Sequence, residues 1–504
     1  MSTNFFDVVI VGAGNAALCG AIAARENGAS VLILEKGPEQ KRGGNSYFTD
    51  GAIRLAFDSL ADLRVIMPHM TDEQADKIVL PPYTADDYRA DFQRITQGKT
   101  DTTLSNILID NSYETMVWLH GHKIQFDMIY DNQSFVKDGK YHFWGGLVVK
   151  SDGRGIGLIK GLFARAKELG IEVWYNAAGT ELSLNDAGQI ESIQVLKDGQ
   201  SQSVQTKSVV LACGSYEGSM KKRIAQMGSE WEKAILRGTE FNTGDGIDMA
   251  LAVGAVKYGD WQMGHAISTD ANAPTVGDFE QPGDIFKKSS YPIGLIINKE
   301  GKRFVDEGAD FRNYTYAKYG REVLKQTDSI AYHVFDGQVA DLLRSEYREE
   351  ICTKFESDTL EGLVDQMDVD GVQFMQTIHE YNLAVQDGEF NPQILDGKGA
   401  VGITPPKSNW ANTIAEPPFL AFPVTCGLTF AFGGVKVTTS AQVVNEEGAP
   451  IPGLFAAGEM VGGLFYHNYP GGSGLASGAV FGRIAGTSAA RYCQAGTTQK
   501  EVGG

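Results

Sequence analysis

The sequence predicts an α/β protein: a nucleotide-binding domain with a mainly parallel sheet, built from both ends of the chain, and an inserted α+β capping domain. Three observations carry this. Residues 7–35 form a strand, a glycine turn, a helix and a second strand. At the far end, Gly453-Leu454-Phe455-Ala456-Ala457-Gly458-Glu459 is a short apolar strand closing on a glycine and a carboxylate, and a glycine-rich helix start follows at 471–475. Between them, 504 residues are too many for one small core.

The first unit is Rossmann-like. Asp7-Val8-Val9-Ile10-Val11 has the near-continuous apolar character of a buried parallel strand. The turn Gly12-Ala13-Gly14-Asn15-Ala16-Ala17 follows, then helix formers to Arg25, a break at Gly28-Ala29, and the strand Val31–Leu34 ending at Glu35. Gly12 permits the tight turn. Gly14 lets the backbone approach a pyrophosphate at the positive helix end, where Asn15 and Ala16 begin the helix. Glu35, with Lys36 beside it, is placed to meet a ribose diol.

This unit alone fits NAD and FAD equally. The next segment, Arg42-Gly43-Gly44-Asn45-Ser46, is a second source of backbone N–H groups, which suits a long dinucleotide lying extended across the sheet. FAD is therefore the expected cofactor. Gly214 and Asp245 are expected to join its site from the middle of the chain. Gly458, Glu459, Ser473 and Leu475 join it from the C-terminal end, where helix N–H groups face the flavin.

The intervening pattern reads as a helix over 157–169 stopped by Gly170, a strand at 171–175, and paired strands at 190–196 and 204–212. Residues 269–283, rich in Pro, Asp and Gly, read as a loop over the site. The expected division is 1–260 and 430–504 for the FAD-binding domain and 261–429 for the capping and substrate domain.

Composition narrows the partners. Lys and Arg total 44 against 63 Asp and Glu, a net charge of −19, which repels nucleic acid and anionic membrane surfaces. The five cysteines are scattered without CxxC or CxxCH, which argues against a metal cluster, a disulfide framework or attached haem. MSTNFF lacks the basic and apolar regions of a signal peptide, and no apolar run approaches the roughly 20 residues that span a bilayer. A cytoplasmic location is the expectation.

With these motifs in view, the chain resembles the fumarate reductase/succinate dehydrogenase flavoprotein superfamily, which includes 3-ketosteroid dehydrogenases. The resemblance runs over nearly the whole chain. It is carried by GAGNAA with Glu35, GGNS at 43–46, VVLACGSYEG at 209–218, NTGDGIDMALAVGA at 242–255, INKEGKRFVDE at 297–307 and GLFAAGE at 453–459. Within the superfamily, RGGNSYFTDG, RGTEFNTG and GLFYHNYPGGSGLASGAVFGRIAG are similar to the tricarballylate dehydrogenase group. That group's resemblance implies FAD-dependent oxidation of tricarballylate to cis-aconitate, with electrons leaving through a separate, membrane-associated partner. Membrane-bound relatives carry a flavin-linked histidine where Asn45 and Ser46 stand, so the FAD is expected to be noncovalent.

The resemblance also nominates the substrate end. Arg312 corresponds to the arginine that transfers the proton in fumarate reductases, in a run one residue longer here. His265 matches the substrate-binding histidine at the start of the inserted domain. A Thr-Glu pair of fumarate reductases is replaced by Phe286-Lys287, followed by Lys288, which makes the pocket edge more positive and suits another substrate carboxylate. Their His-Thr-Met-Gly-Gly becomes Phe430-Ala431-Phe432-Gly433-Gly434, and their last arginine becomes Tyr469. In 3-ketosteroid dehydrogenases a tyrosine at a similar place donates to a substrate carbonyl. The candidate catalytic residues are thus Arg312, Tyr469 and His265, with Lys287, Lys288, His467 and His142 as candidate substrate contacts. The rival expectations are a desaturase or reductase of another carbonyl or carboxylate compound, and a flavin-binding redox carrier or sensor.

Overall fold

The computed structural model describes residues 5–281 and 284–501. Its larger sheet has eight strands. Phe5–Val11 lies at the centre, parallel to Val31–Leu34 on one side and to Gln200–Leu211 on the other. Glu172–Trp174 extends the sheet beyond Val31–Leu34. The strands Ile190–Lys197 and Gln200–Leu211 pair antiparallel, as the sequence pattern predicts. From the far end of the chain, Pro450–Ala456 adds in parallel to Gln200–Leu211, with Val209 opposite Leu454. Val8, Val9, Ile10 and Val209 are wholly buried, which explains why these strands are apolar on both faces.

Two helices tie the chain ends together. Asn15–Glu26 packs along Ser473–Glu501 through a seam of small residues. A Cβ on Gly482 would lie 2.4 Å from the Ala16 carbonyl, and one on Gly486 would lie 1.9 Å from that of Gly20. Only glycine permits that approach. Among the described residues no helix is long and apolar enough to cross a membrane.

The second sheet has six strands around the long strand Phe419–Ala431. Gly264–Asp270, Ala331–Phe335 and Phe355–Ser357 pair antiparallel with it, and Ile235–Leu236 pairs parallel. Leu295–Asn298 extends the sheet beyond Ala331–Phe335. Phe419–Ala431 spans the junction expected at 429/430 and brings Thr429 and Phe430 to the face of the nucleotide domain. Thr269 and Asp270 continue the strand Gly264–Asp270, while 271–281 hold neither helix nor strand. Residues 39–154 lie in the chain between Val31–Leu34 and Glu172–Trp174. They include the helix Ala85–Ile95, started by a capping box in which Thr84 and Asp87 bond to each other's backbone N–H.

Candidate active site

One cavity of about 260 Å³ runs from the glycine turn to the cap sheet. Its nucleotide end is made largely of backbone. Gly12 takes φ +104° and lies so close to the neighbouring strand that a Cβ would sit 2.4 Å from the Ala212 carbonyl. The helix Asn15–Glu26 starts at Gly14 with no side-chain cap and no acid in its first turn, leaving a positive end toward the cavity. The Asn15 N–H donates to Ser46 Oγ at 3.2 Å, which joins the first glycine turn to the second. Glu35 is buried and accepts the Gly37 N–H at 2.7 Å; burial pushes its carboxyl up to about 7. Lys36 pairs with Asp245 at 2.7 Å along the same wall.

Two further carboxyls, Glu217 and Glu459, are gripped together. Asn45 Nδ2 donates to Glu217 at 3.0 Å and Glu459 at 3.3 Å, and Asn242 Nδ2 reaches them at 2.8 and 3.3 Å. Burial raises both acids, and Glu217 beside it raises Glu459 well above the usual carboxylate range.

The other end is made of side chains. Tyr316, at the start of the helix Tyr316–Leu324, donates its hydroxyl to Tyr469 at 2.8 Å. His265 stands edge-on to both rings, at 5.1 and 4.8 Å between centroids. The Arg312 guanidinium lies over the Tyr316 ring at 4.8 Å and makes no ion pair among the described residues. Arg237 is held by Thr429 and Asp284. Arg237 Nε, Arg312 Nε, both His265 ring nitrogens and Ser268 Oγ are buried without a hydrogen-bond partner. Burial, then Arg237 and Arg312, pull the His265 imidazole well below its usual range, so it is neutral at pH 7. Burial raises the Tyr469 hydroxyl, which stays protonated and able to donate.

A family model described as the FAD binding domain matches residues 7–475. The chain belongs to that family. A probable fumarate reductase of Shewanella frigidimarina is 28% identical over 491 residues, covering 96% of this chain and 75% of the relative. The open conformation of a flavocytochrome c3 fumarate reductase has TM-score 0.73 at 24% identity, over 97% of this chain and 79% of that one. A 3-ketosteroid delta1-dehydrogenase from Sterolibacterium denitrificans also has TM-score 0.73, at 19% identity, over 97% and 100%. The protein is an FAD-dependent oxidoreductase of the reductase and dehydrogenase kind that acts at carbon–carbon double bonds.

The nucleotide end fits FAD: a bare helix start for the pyrophosphate, a buried carboxylate for a diol, and a glycine wall that admits a flat ring system. Gly12, Gly14, Asn15, Ala16, Glu35, Lys36, Gly44, Asn45, Ser46, Gly214, Asp245, Gly458, Glu459 and Leu475 all line the cavity. Three expected contacts do not. Arg42 pairs with Glu39 and lies over the Phe163 ring, since the turn at Gly43 carries it outward; Gly43 itself abuts Ile159. Ser473 is buried with its hydroxyl on Tyr88 at 2.7 Å.

At the substrate end, Arg312, His265, Tyr469, Lys287 and Lys288 line the cavity. The lysines' charges are already met. Lys287 is paired with Asp50, and Lys288 lies fully buried with its Nζ 3.7 Å from Asp270 and donating to the Glu346 carbonyl at 3.1 Å. Two expectations are corrected. His142 sits in the strand Lys140–Phe143 and stacks on Phe135, away from the cavity. His467 has φ +60° and faces Lys99, Asp260 and Arg321 instead. Sequence reasoning missed Arg237 and Tyr316. Tyr316 lies four residues after Arg312, and Arg237 opens the RGTEFNTG stretch.

Proposed function

We propose that the protein interconverts CH–CH and C=C in a small polycarboxylate, with tricarballylate and cis-aconitate as the substrate pair. The observation that carries this is the set of buried, unpartnered donors around one cavity, with Arg312 making no ion pair among the described residues. Such groups are costly to bury and are satisfied by an anionic oxygen ligand. FAD, when bound, accepts or gives the hydride.

The protein's own residues do the rest. Arg312 holds a carboxylate and spreads the charge that develops next to the reacting carbons, while Arg237, whose charge is met by Asp284, adds its unpartnered Nε as a donor. Because Tyr316 donates to Tyr469, the Tyr469 hydrogen is free to point at a substrate oxygen. Arg312 is the proposed proton-transfer group. Neutral His265 orders the two tyrosines and offers a ring nitrogen to the substrate. The FAD is held noncovalently, and a separate electron-transfer partner completes the cycle in the cytoplasm. Acid precipitation should leave yellow flavin in the supernatant.

A second reading, a carbonyl substrate, is favoured by the Tyr316–Tyr469 pair, since a phenol chain is a good donor to an incipient enolate. Anaerobic flavin spectra separate these readings. Tricarballylate should bleach the bound flavin and cis-aconitate should restore it. Bleaching by a 3-ketosteroid alone would support the second reading, and no response to any compound would point to a redox carrier.

A further inference from the structure

Outside the cavity, one buried carboxylate is linked to both of the chain segments that carry the tyrosine pair, to one directly through Tyr314 and to the other through Arg54. Asp91, on the helix Ala85–Ile95, is almost fully buried. Its Oδ2 accepts the Tyr83 hydroxyl at 2.7 Å, the Tyr314 hydroxyl at 3.1 Å and Arg54 Nη1 at 3.2 Å. Arg54, also buried, donates its Nε to the Gly471 carbonyl at 2.8 Å, and its backbone N–H to that of Gly472 at 3.2 Å. Tyr314 precedes Tyr316 by two residues, and its carbonyl accepts Asn468 Nδ2 at 2.7 Å. On the same helix, Arg94 bonds Asp91 Oδ1 at 3.3 Å, pairs with Asp310 and lies 4.0 Å over the Tyr314 ring.

We propose that Asp91 is a positioning residue: through Tyr314 on one side and Arg54 on the other, it sets the Tyr316–Tyr469 contact. Residues 310–316 and 468–472 are far apart in sequence and belong to different parts of the fold. Outside the cavity, the first is bonded to this carboxylate through Tyr314, and the second is bonded to Arg54, which the carboxylate holds. Three donors converge on Oδ2, so its charge is fully used in holding geometry. The inference rests on the reading of Tyr316 and Tyr469 as site residues.

The test has a structural and a kinetic arm. Asp91→Asn replaces the acceptor with an amide whose N–H faces other donors. In a crystal structure of the FAD-loaded variant, the Tyr316–Tyr469 oxygens should part from 2.8 Å to beyond about 3.5 Å, past hydrogen-bonding range. If that variant does not fold, Tyr314→Phe removes one donor, keeps Arg54 paired, and should show the same parting. In tricarballylate oxidation, Tyr314→Phe should lower kcat severalfold and leave KM within about twofold, because it acts through the pair. In the Tyr316→Phe background it should cost nothing further, since coupled residues are non-additive. An unmoved tyrosine contact, or losses that multiply in the double variant, would overturn the proposal. If the wild type ignores tricarballylate, the substrate reading fails while the structural arm still decides the role of Asp91.

Discussion

The two ends of the cavity recognise their ligands by different means. The nucleotide end uses backbone: a glycine turn, a bare helix start and a second glycine turn, all within residues 12–46. The substrate end uses side chains from separate segments, including Arg237, His265, Arg312, Tyr316 and Tyr469. Backbone recognition is written in consecutive residues, because it needs glycine at fixed offsets. Side-chain recognition depends on which neighbours the fold supplies, and a neighbour can cancel a charge that the sequence displays. Lys287, neutralised by Asp50, is the case in point.

The sharpest way to break this contrast is at Arg312. As the cavity arginine that makes no ion pair among the described residues, it should dominate the substrate end and leave the nucleotide end untouched. Arg312→Ala should reduce tricarballylate oxidation, measured with an artificial electron acceptor, by roughly 10²–10⁴-fold. Its FAD content should match the wild type. Lys287→Ala should cost much less, because that charge is committed to Asp50. Equal losses in the two variants would show that the lysine, too, holds substrate.

At the nucleotide end, Glu35→Ala removes a charge-assisted acceptor and leaves the apolar strand intact. A hydrogen bond to a charged group contributes about 1.5–3 kcal/mol, so the FAD dissociation constant should rise roughly ten- to a hundredfold. Turnover at saturating FAD should not change. An unaltered dissociation constant would place the ribose elsewhere.

This division matches what was legible in the sequence. The strand–helix–strand unit at 7–35, the paired strands up to 212, the C-terminal strand and most of the glycine wall of the cavity follow from apolar runs and glycine offsets. Arg42 and Ser473 were misleading because their neighbours fit the motif while their side chains find partners outside the cavity. His142 and His467 sit in aromatic and glycine-rich stretches like those of a site, yet strand pairing and a left-handed backbone turn them away. Tyr316 and Arg237 gain their meaning only from contacts with residues 153 and 192 positions away.

A smaller effect probes the burial of Glu35. In the FAD-free protein its carboxyl is raised to about 7 by desolvation. If ribose hydroxyls donate to the anion, the complex binds fewer protons than the free protein, and affinity rises with pH. Between pH 8 and pH 6 the FAD dissociation constant should increase by up to about tenfold, and the dependence should vanish in Glu35→Gln. A flat profile in the wild type would mean that the carboxyl is already ionised throughout this range.

The smallest expected effect decides most about the substrate. If Tyr469 donates to a carboxylate that arginines already hold, its hydrogen bond is one of several. Tyr469→Phe should then lower kcat/KM by only about two- to tenfold, the worth of one neutral hydrogen bond. Tyr316→Phe should cost no more, because it only orients the Tyr469 hydroxyl. If instead the substrate is a carbonyl compound, Tyr469 is the group that stabilises the enolate. Its loss should then approach the roughly 10²–10⁴-fold of a missing acid. The two variants, measured with tricarballylate and with a 3-ketosteroid, weigh the tyrosine pair against the arginines. A large Tyr469→Phe effect beside a mild Arg312→Ala effect would invert the proposed roles and make the carbonyl reading the correct one.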